Sequence, residues 1–133
     1  VAEDDQETLT GVWHGLYSYP AFHEPVFFVA TLIASGPSFT GTTHEAAIGQ
    51  TGAPLTLFAS LSGSQAGTSV EFLKTYDGTG GWTHSVNYAG ELNSDATEIE
   101  GSWIIASQWS GRFLMIRSKG VSEEVVREVY ERV

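Results

Sequence analysis

The chain contains no cysteine. A disulfide framework, a thiolate nucleophile and a cysteine-ligated metal are therefore excluded. It also lacks any run of about 18 apolar residues, the length that a membrane-crossing helix needs. Positive charge is scarce: 6 Lys and Arg stand against 16 Asp and Glu, for a net charge of −10. An acidic protein repels phosphate backbones, so nucleic acid is not an expected partner. Most of the basic residues fall between Arg112 and Arg132, which leaves the rest of the chain almost purely acidic. That asymmetry reads as an ordinary exposed tail rather than a basic docking patch.

Familiar catalytic signatures are missing too. There is no Gly-x-Ser-x-Gly elbow for a nucleophilic serine. The histidines, His14, His23, His44 and His84, form neither His-x-x-x-His nor His-Glu-x-x-His, so no metalloprotease motif exists. No metal and no cofactor is expected. The Gly-rich stretch DGTGG (77–81) joins two strand-like segments instead of leading into a helix, which makes it a turn and not a phosphate loop. The opening VAEDDQET is acidic, has no initiator Met and has no apolar signal-peptide core. Cytoplasm is the default compartment on this reading, with a processed secreted form as the alternative.

What the chain does have is apolar and aromatic content: 41% hydrophobic and 12% aromatic, with only 17% charged, over 133 residues. That suits one folded domain burying about two-thirds of its unfolded surface. After a polar leader (1–8), the stretch 9–118 breaks into short segments rich in Thr, Val, Ile, Phe, Tyr and Trp, separated by Gly, Ser, Asn, Asp and Pro clusters. Strands are predicted near 10–19, 26–34, 38–46, 55–62, 68–76, 82–91, 97–106 and 110–118. Period-two alternation supports them. Leu55, Leu57, Ala59 and Leu61 share one face, as do Trp82, His84, Val86 and Tyr88, and Ile99, Gly101, Trp103 and Ile105.

Five glycines, Gly41, Gly63, Gly90, Gly101 and Gly111, each stand two residues after an apolar one. They read either as points where a barrel strand curls or as turn-adjacent glycines. The end, VSEEVVREVYERV (121–133), has a helical apolar stripe, with Ser122 as N-cap and Glu123 and Glu124 at the positive end of the helix dipole. This helix is expected to pack on the barrel or on a partner subunit.

Short, even connections favour neighbour-to-neighbour antiparallel pairing. Eight strands in sequence remove both sheet edges by closing into an up-and-down barrel, and a two-sheet sandwich is the competing architecture. An eight-stranded barrel either fills with side chains or holds one small ligand.

The order of motifs resembles the avidin/streptavidin family of the calycin group. LTGVW (9–13) is similar to that family's opening Thr-Gly-x-Trp. FFVATLIASGPSFTGTTHEAAIG (27–49) is similar to its second hairpin, NYAGEL (87–92) to its sixth strand and IEGSWII (99–105) to its seventh, with Trp103 in the matching place. Gly-x-Trp with a late arginine, Arg117, also resembles lipocalins and fatty-acid-binding proteins. The resemblance implies an eight-stranded antiparallel barrel and, from the avidins, a homo-oligomer. It does not imply the avidins' ligand. Their polar biotin contacts fall here on Gly15, Tyr19, Thr43, Glu45 and Arg117, and Tyr88 replaces a Trp. Those changes leave biotin's polar groups unpaired, so no tight biotin binding is expected.

With Trp13 inward, Gly15, Tyr17 and Tyr19 share its face. The family alignment adds Thr43, Glu45, Phe72, Tyr88, Trp103, Phe113 and Arg117. The outcome is an aromatic cage with one carboxylate and one guanidinium, or else a filled core. Glu45 and Arg117 form a buried ion pair, or a one-residue slip leaves both solvated. His14, next to an inward Trp13, is expected to face solvent. Phe28, Leu32, Phe58, Leu73, Ile104, Leu114 and Ile116 are expected to face outward, covered by the terminal helix or by another subunit.

The leading functional reading is non-enzymatic binding of a small amphipathic or aromatic ligand in the lumen. A small isomerase- or cyclase-type barrel enzyme using Glu45 as acid/base is one alternative. A solid-core oligomeric interaction module is the other.

Overall fold

A computed structural model of the protein describes residues 8–20, 24–106 and 109–118. The alternation read in the sequence becomes eight strands, β1 (Gly11–Ser18), β2 (Val26–Ser35), β3 (Ser38–Ile48), β4 (Pro54–Ala66), β5 (Ser69–Tyr76), β6 (Ser85–Leu92), β7 (Glu98–Ile105) and β8 (Trp109–Arg117). Each strand pairs antiparallel with the next, and β1 pairs with β8, so the sheet closes into a barrel. Closure rules out the sandwich and leaves no open edge.

Strand bounds differ from expectation in two places. β4 runs on through Gly63 to Ala66, so only Gly67 and Thr68 connect it to β5. β6 starts at Ser85, because Thr79–Gly81 forms a single 3₁₀ turn that keeps Trp82 and His84 out of the ladder.

All five repeat glycines lie inside strands, and none has a left-handed φ. A Cβ on Gly41, Gly63, Gly90, Gly101 or Gly111 would collide with a carbonyl oxygen of the neighbouring backbone: Thr31, Glu71, Glu100, Ala89 and Ser18 respectively. They mark where the wall bends tightly enough to leave no room for a side chain, which favours the curvature reading over the turn reading. Gly11 is different: its φ of +143° lets the chain enter β1 over the closed end.

Register corrects part of the inward and outward assignment. Gly11, Trp13 and Gly15 pair with Leu32, Ala30 and Phe28. Paired residues point to the same side of a sheet, so Phe28 and Leu32 face inward with Trp13 and belong to the core. The uninterrupted apolar run of β2 gave no alternation from which to read that parity. Phe58, Leu73 and Ile104 are exposed on the outer face as expected. Leu114 and Ile116 are also outward, yet they are buried in a second small cluster with Leu16. His14 lies beside them and is buried at 7% exposure, not solvated, and its Nε2 has no hydrogen-bond partner among the described residues. Burial lowers its pKa. The expected leader, apart from Thr8, and the expected helix over 121–133 lie outside the described residues.

Candidate functional site

The barrel interior is layered. At the closed end, Arg117 lies 4.5 Å above the Trp13 ring. Its guanidinium donates to the carbonyls of Ala96 (3.0 Å), Thr10 (2.9 Å) and Thr8 (2.6 Å). The Trp13 indole donates to the Leu9 carbonyl at 3.0 Å. Arg117 therefore ties the incoming chain to the last strand, with a cation–π contact beneath it. The middle layer is aromatic. Phe72 stacks on Tyr88 at 4.7 Å between centroids, and Phe113 meets both edge-on at 6.0 and 5.0 Å.

Nearer the other end lies a buried polar knot. The Glu45 carboxylate accepts from the Tyr17 hydroxyl at 2.6 Å, the Lys74 ammonium at 2.8 Å and the Tyr76 hydroxyl at 3.1 Å. Lys74 is 1% exposed and Glu45 is 4% exposed. Four rings surround the Lys74 Nζ: Tyr76 at 4.8 Å, Tyr17 at 4.9 Å, Phe28 at 5.1 Å and Tyr88 at 5.8 Å. Loss of hydration lowers the lysine pKa, against the opposing pull of Glu45. Burial, and then the nearby carboxylate, raise the Tyr17 and Tyr76 hydroxyls well above their ordinary value, so both remain protonated donors.

Above the knot the barrel opens. Tyr19, Trp82, His84, Ile105 and Trp109 line an open pocket of about 460 Å³. Its walls are two aromatic clusters. On one side Tyr19 meets Trp103 at 5.2 Å and Trp109 at 6.3 Å. On the other, Trp82, His84 and Tyr76 are mutually 4.9–5.3 Å apart. The Trp103 indole donates to the Ser18 carbonyl at 3.1 Å, which fixes the rim of β1. Burial and the adjacent Lys74 lower the His84 pKa, against a smaller opposing effect of Glu45. The imidazole is thus a neutral group near pH 7, able to donate or accept.

The expected site residues are therefore split between levels. Tyr17, Tyr19, Glu45 and Trp103 come together at or just below the mouth. Phe72, Tyr88 and Phe113 pack in the middle layer. Trp13 and Arg117 sit at the far end. Thr43 points inward at 2% exposure, and its hydroxyl has no hydrogen-bond partner among the described residues.

Neither of the two readings of Glu45 and Arg117 holds: they form no ion pair, and Glu45 is not solvated. Both groups are inside the barrel or at its end, but Glu45 belongs to the mouth half and is neutralised by Lys74. Lys74, Tyr76, Trp82, His84, Ile105 and Trp109 were not among the expected site residues. Period two does connect them to it, since Lys74 and Tyr76 follow Phe72, Trp82 and His84 precede Tyr88, and Ile105 follows Trp103. Among the described residues no group of three or more His, Asp or Glu could hold a metal ion.

Fold and site together define a closed, eight-stranded up-and-down β-barrel with an aromatic mouth. No protein-family model matches the chain, and no curated protein matches it in sequence. Among solved structures it is similar to a de novo designed fluorescence-activating β-barrel, with a TM-score of 0.60 at 9% identity, covering 86% of this chain and 98% of that one. Apocrustacyanin C1 and C2 are each 15% identical to it, with TM-scores of 0.42 and 0.40, covering 98% of this chain and 73% of theirs. The designed barrel shows the fold. The barrel that the avidin resemblance implied is present, while none of these comparisons ties it to avidins in particular.

Proposed function

We propose that the protein binds a small, flat aromatic or amphipathic molecule at the barrel mouth, without catalysing a reaction on it. The observation that carries this reading is the pocket between Tyr19 and Trp109 on one side and Trp82 and His84 on the other. Its size falls within the usual range for small-molecule sites, and its chemistry is apolar walls with a few neutral polar groups. The ligand sits at the mouth rather than deep in the lumen. Phe72, Tyr88 and Phe113 already contact one another below, and Glu45 is occupied by the protein's own donors.

Biotin does not suit this site. Phe28 lies over Gly15, and Arg117 is at the opposite end. At rest the Glu45 carboxylate is held by Tyr17 and Tyr76 and paired with Lys74, so it reaches a ligand only through that lysine.

Tryptophan fluorescence tests the proposal, because Trp82 and Trp109 both stand in the pocket wall. Titration with planar aromatics such as naphthol or cinnamyl alcohol should quench it saturably. Trp82→Ala and Trp109→Ala should each weaken binding by roughly 2- to 12-fold, the worth of one aromatic contact. Absence of saturable quenching across such a panel would sink the reading.

A further inference from the structure

We propose that Lys74 is a concealed nucleophile, and that the barrel captures a conjugated or aromatic aldehyde at its mouth as an imine on the Lys74 Nζ. This rests on the mouth being the ligand site. The chain has only two lysines, Lys74 and Lys119. One of them is placed inside the barrel, 2.8 Å from a carboxylate and among four aromatic rings. Stability does not explain that choice. A buried ion pair is commonly matched or exceeded by apolar residues of similar volume, so a leucine and a methionine would serve the core at least as well.

The arrangement has what imine formation requires. Removal from water favours the neutral amine, and an adjacent carboxylate can take its proton. Tyr17 and Tyr76 hydroxyls hold that carboxylate in place. Tyr17 and Tyr76 lie against the Nζ, with ring centroids at 4.9 and 4.8 Å. Tyr76 packs directly on Trp82 and His84 in the pocket wall, so a ligand seated there bears on the ring that must swing aside.

The step balances within the site. Lys74 passes a proton to Glu45, and the freed nitrogen lone pair forms a bond to the aldehyde carbon while the carbonyl π electrons move to oxygen. That oxygen takes the proton from Glu45, and the nitrogen returns one to the freed carboxylate, giving the neutral carbinolamine. Glu45 then gives that proton to the hydroxyl, which leaves as water as the C=N bond forms, and the nitrogen's remaining proton stays on an iminium paired with the Glu45 carboxylate. Ammonium and aldehyde become iminium and water, with no oxidant or reductant consumed.

The test incubates the full chain with cinnamaldehyde and sodium cyanoborohydride, which reduces an imine to a stable secondary amine. Intact mass and peptide mapping then locate the adduct. The expected result is one dominant adduct at Lys74 in preference to Lys119 and the terminal amine, persisting to lower pH than labelling of Lys119, suppressed by excess cinnamyl alcohol and absent from Lys74→Arg. The competition within the wild-type chain decides the matter even if the variant does not fold. Adducts confined to Lys119 or the terminus overturn the proposal. If cinnamyl alcohol still binds in that case, the mouth site stands without the imine. If neither compound binds, both readings fall.

Discussion

Replacing Lys74 by methionine removes one charge from a pair whose members are almost entirely inaccessible to water. The methionine fills most of the stem's volume, so the perturbation is chiefly electrostatic. Glu45 keeps the Tyr17 and Tyr76 hydroxyls but loses the 2.8 Å ammonium contact. An uncompensated buried charge of this kind costs about 3–5 kcal/mol. For a domain of this size that is a fall in thermal midpoint of roughly 10–20 °C.

Glu45→Gln in the same background removes the remaining charge while keeping an acceptor for the two tyrosines. The double variant should recover to within about 1–2 kcal/mol of wild type, because neither charge then has to be desolvated. Urea unfolding of the wild type, the two single variants and the double variant gives the coupling directly. Additive single-variant costs, or a Lys74→Met cost under about 1 kcal/mol, would refute the account of Lys74 and Glu45 as a mutually dependent buried pair.

Three further outcomes follow from the same structure. His14 and His84 both have pKa values lowered by burial, so the unfolded chain binds more protons below about pH 6.5. Stability should therefore be retained above that pH and fall as pH drops towards the folded-state values, and the His84→Gln variant should lose part of that dependence in a pH series of urea midpoints. Gly101→Ala puts a methyl group against the Ala89 carbonyl and the Gly90 backbone, which cannot move aside as a flexible side chain would. It should cost about 1–3 kcal/mol by the same urea measurement, whereas Gly52→Ala, in open space, tests the separate cost of a positive φ. Arg117→Met should leave mouth binding of a planar aromatic unchanged while lowering thermal stability, since its contacts are all at the closed end; a loss of affinity comparable to that of Trp82→Ala would contradict the two-ended description.

Strands with one wet face were legible, because water on one side and apolar contacts on the other impose alternation. β4 and β7 show this residue by residue: Leu57, Ala59 and Leu61 are buried between exposed Thr56, Phe58, Ser60 and Ser62, and Ile99 and Trp103 are buried beside exposed Glu100, Ser102 and Ile104. β2 was not legible in that way. Val26–Ser35 is apolar on consecutive positions, and only pairing with β1 turns Phe28 and Leu32 inward. His14 shows a second limit: alternation places it on the outer face correctly, but whether an outer face is wet depends on what packs over it.

The candidate site divides along the same line. By themselves, residue type and period two determined an all-β domain without cysteine chemistry and put Tyr17 on the same face as Trp13, whereas the inner placement of Glu45 and Trp103 was what the avidin resemblance implied. The tertiary structure alone decided that Glu45 is partnered by Lys74 and not Arg117, and that Tyr19, Ile105 and Trp109 meet Trp82 and His84 across an open mouth. Those choices depend on the height at which each residue falls along a closed, staggered barrel. That height is set by the register of every strand pair at once, and no local pattern encodes it.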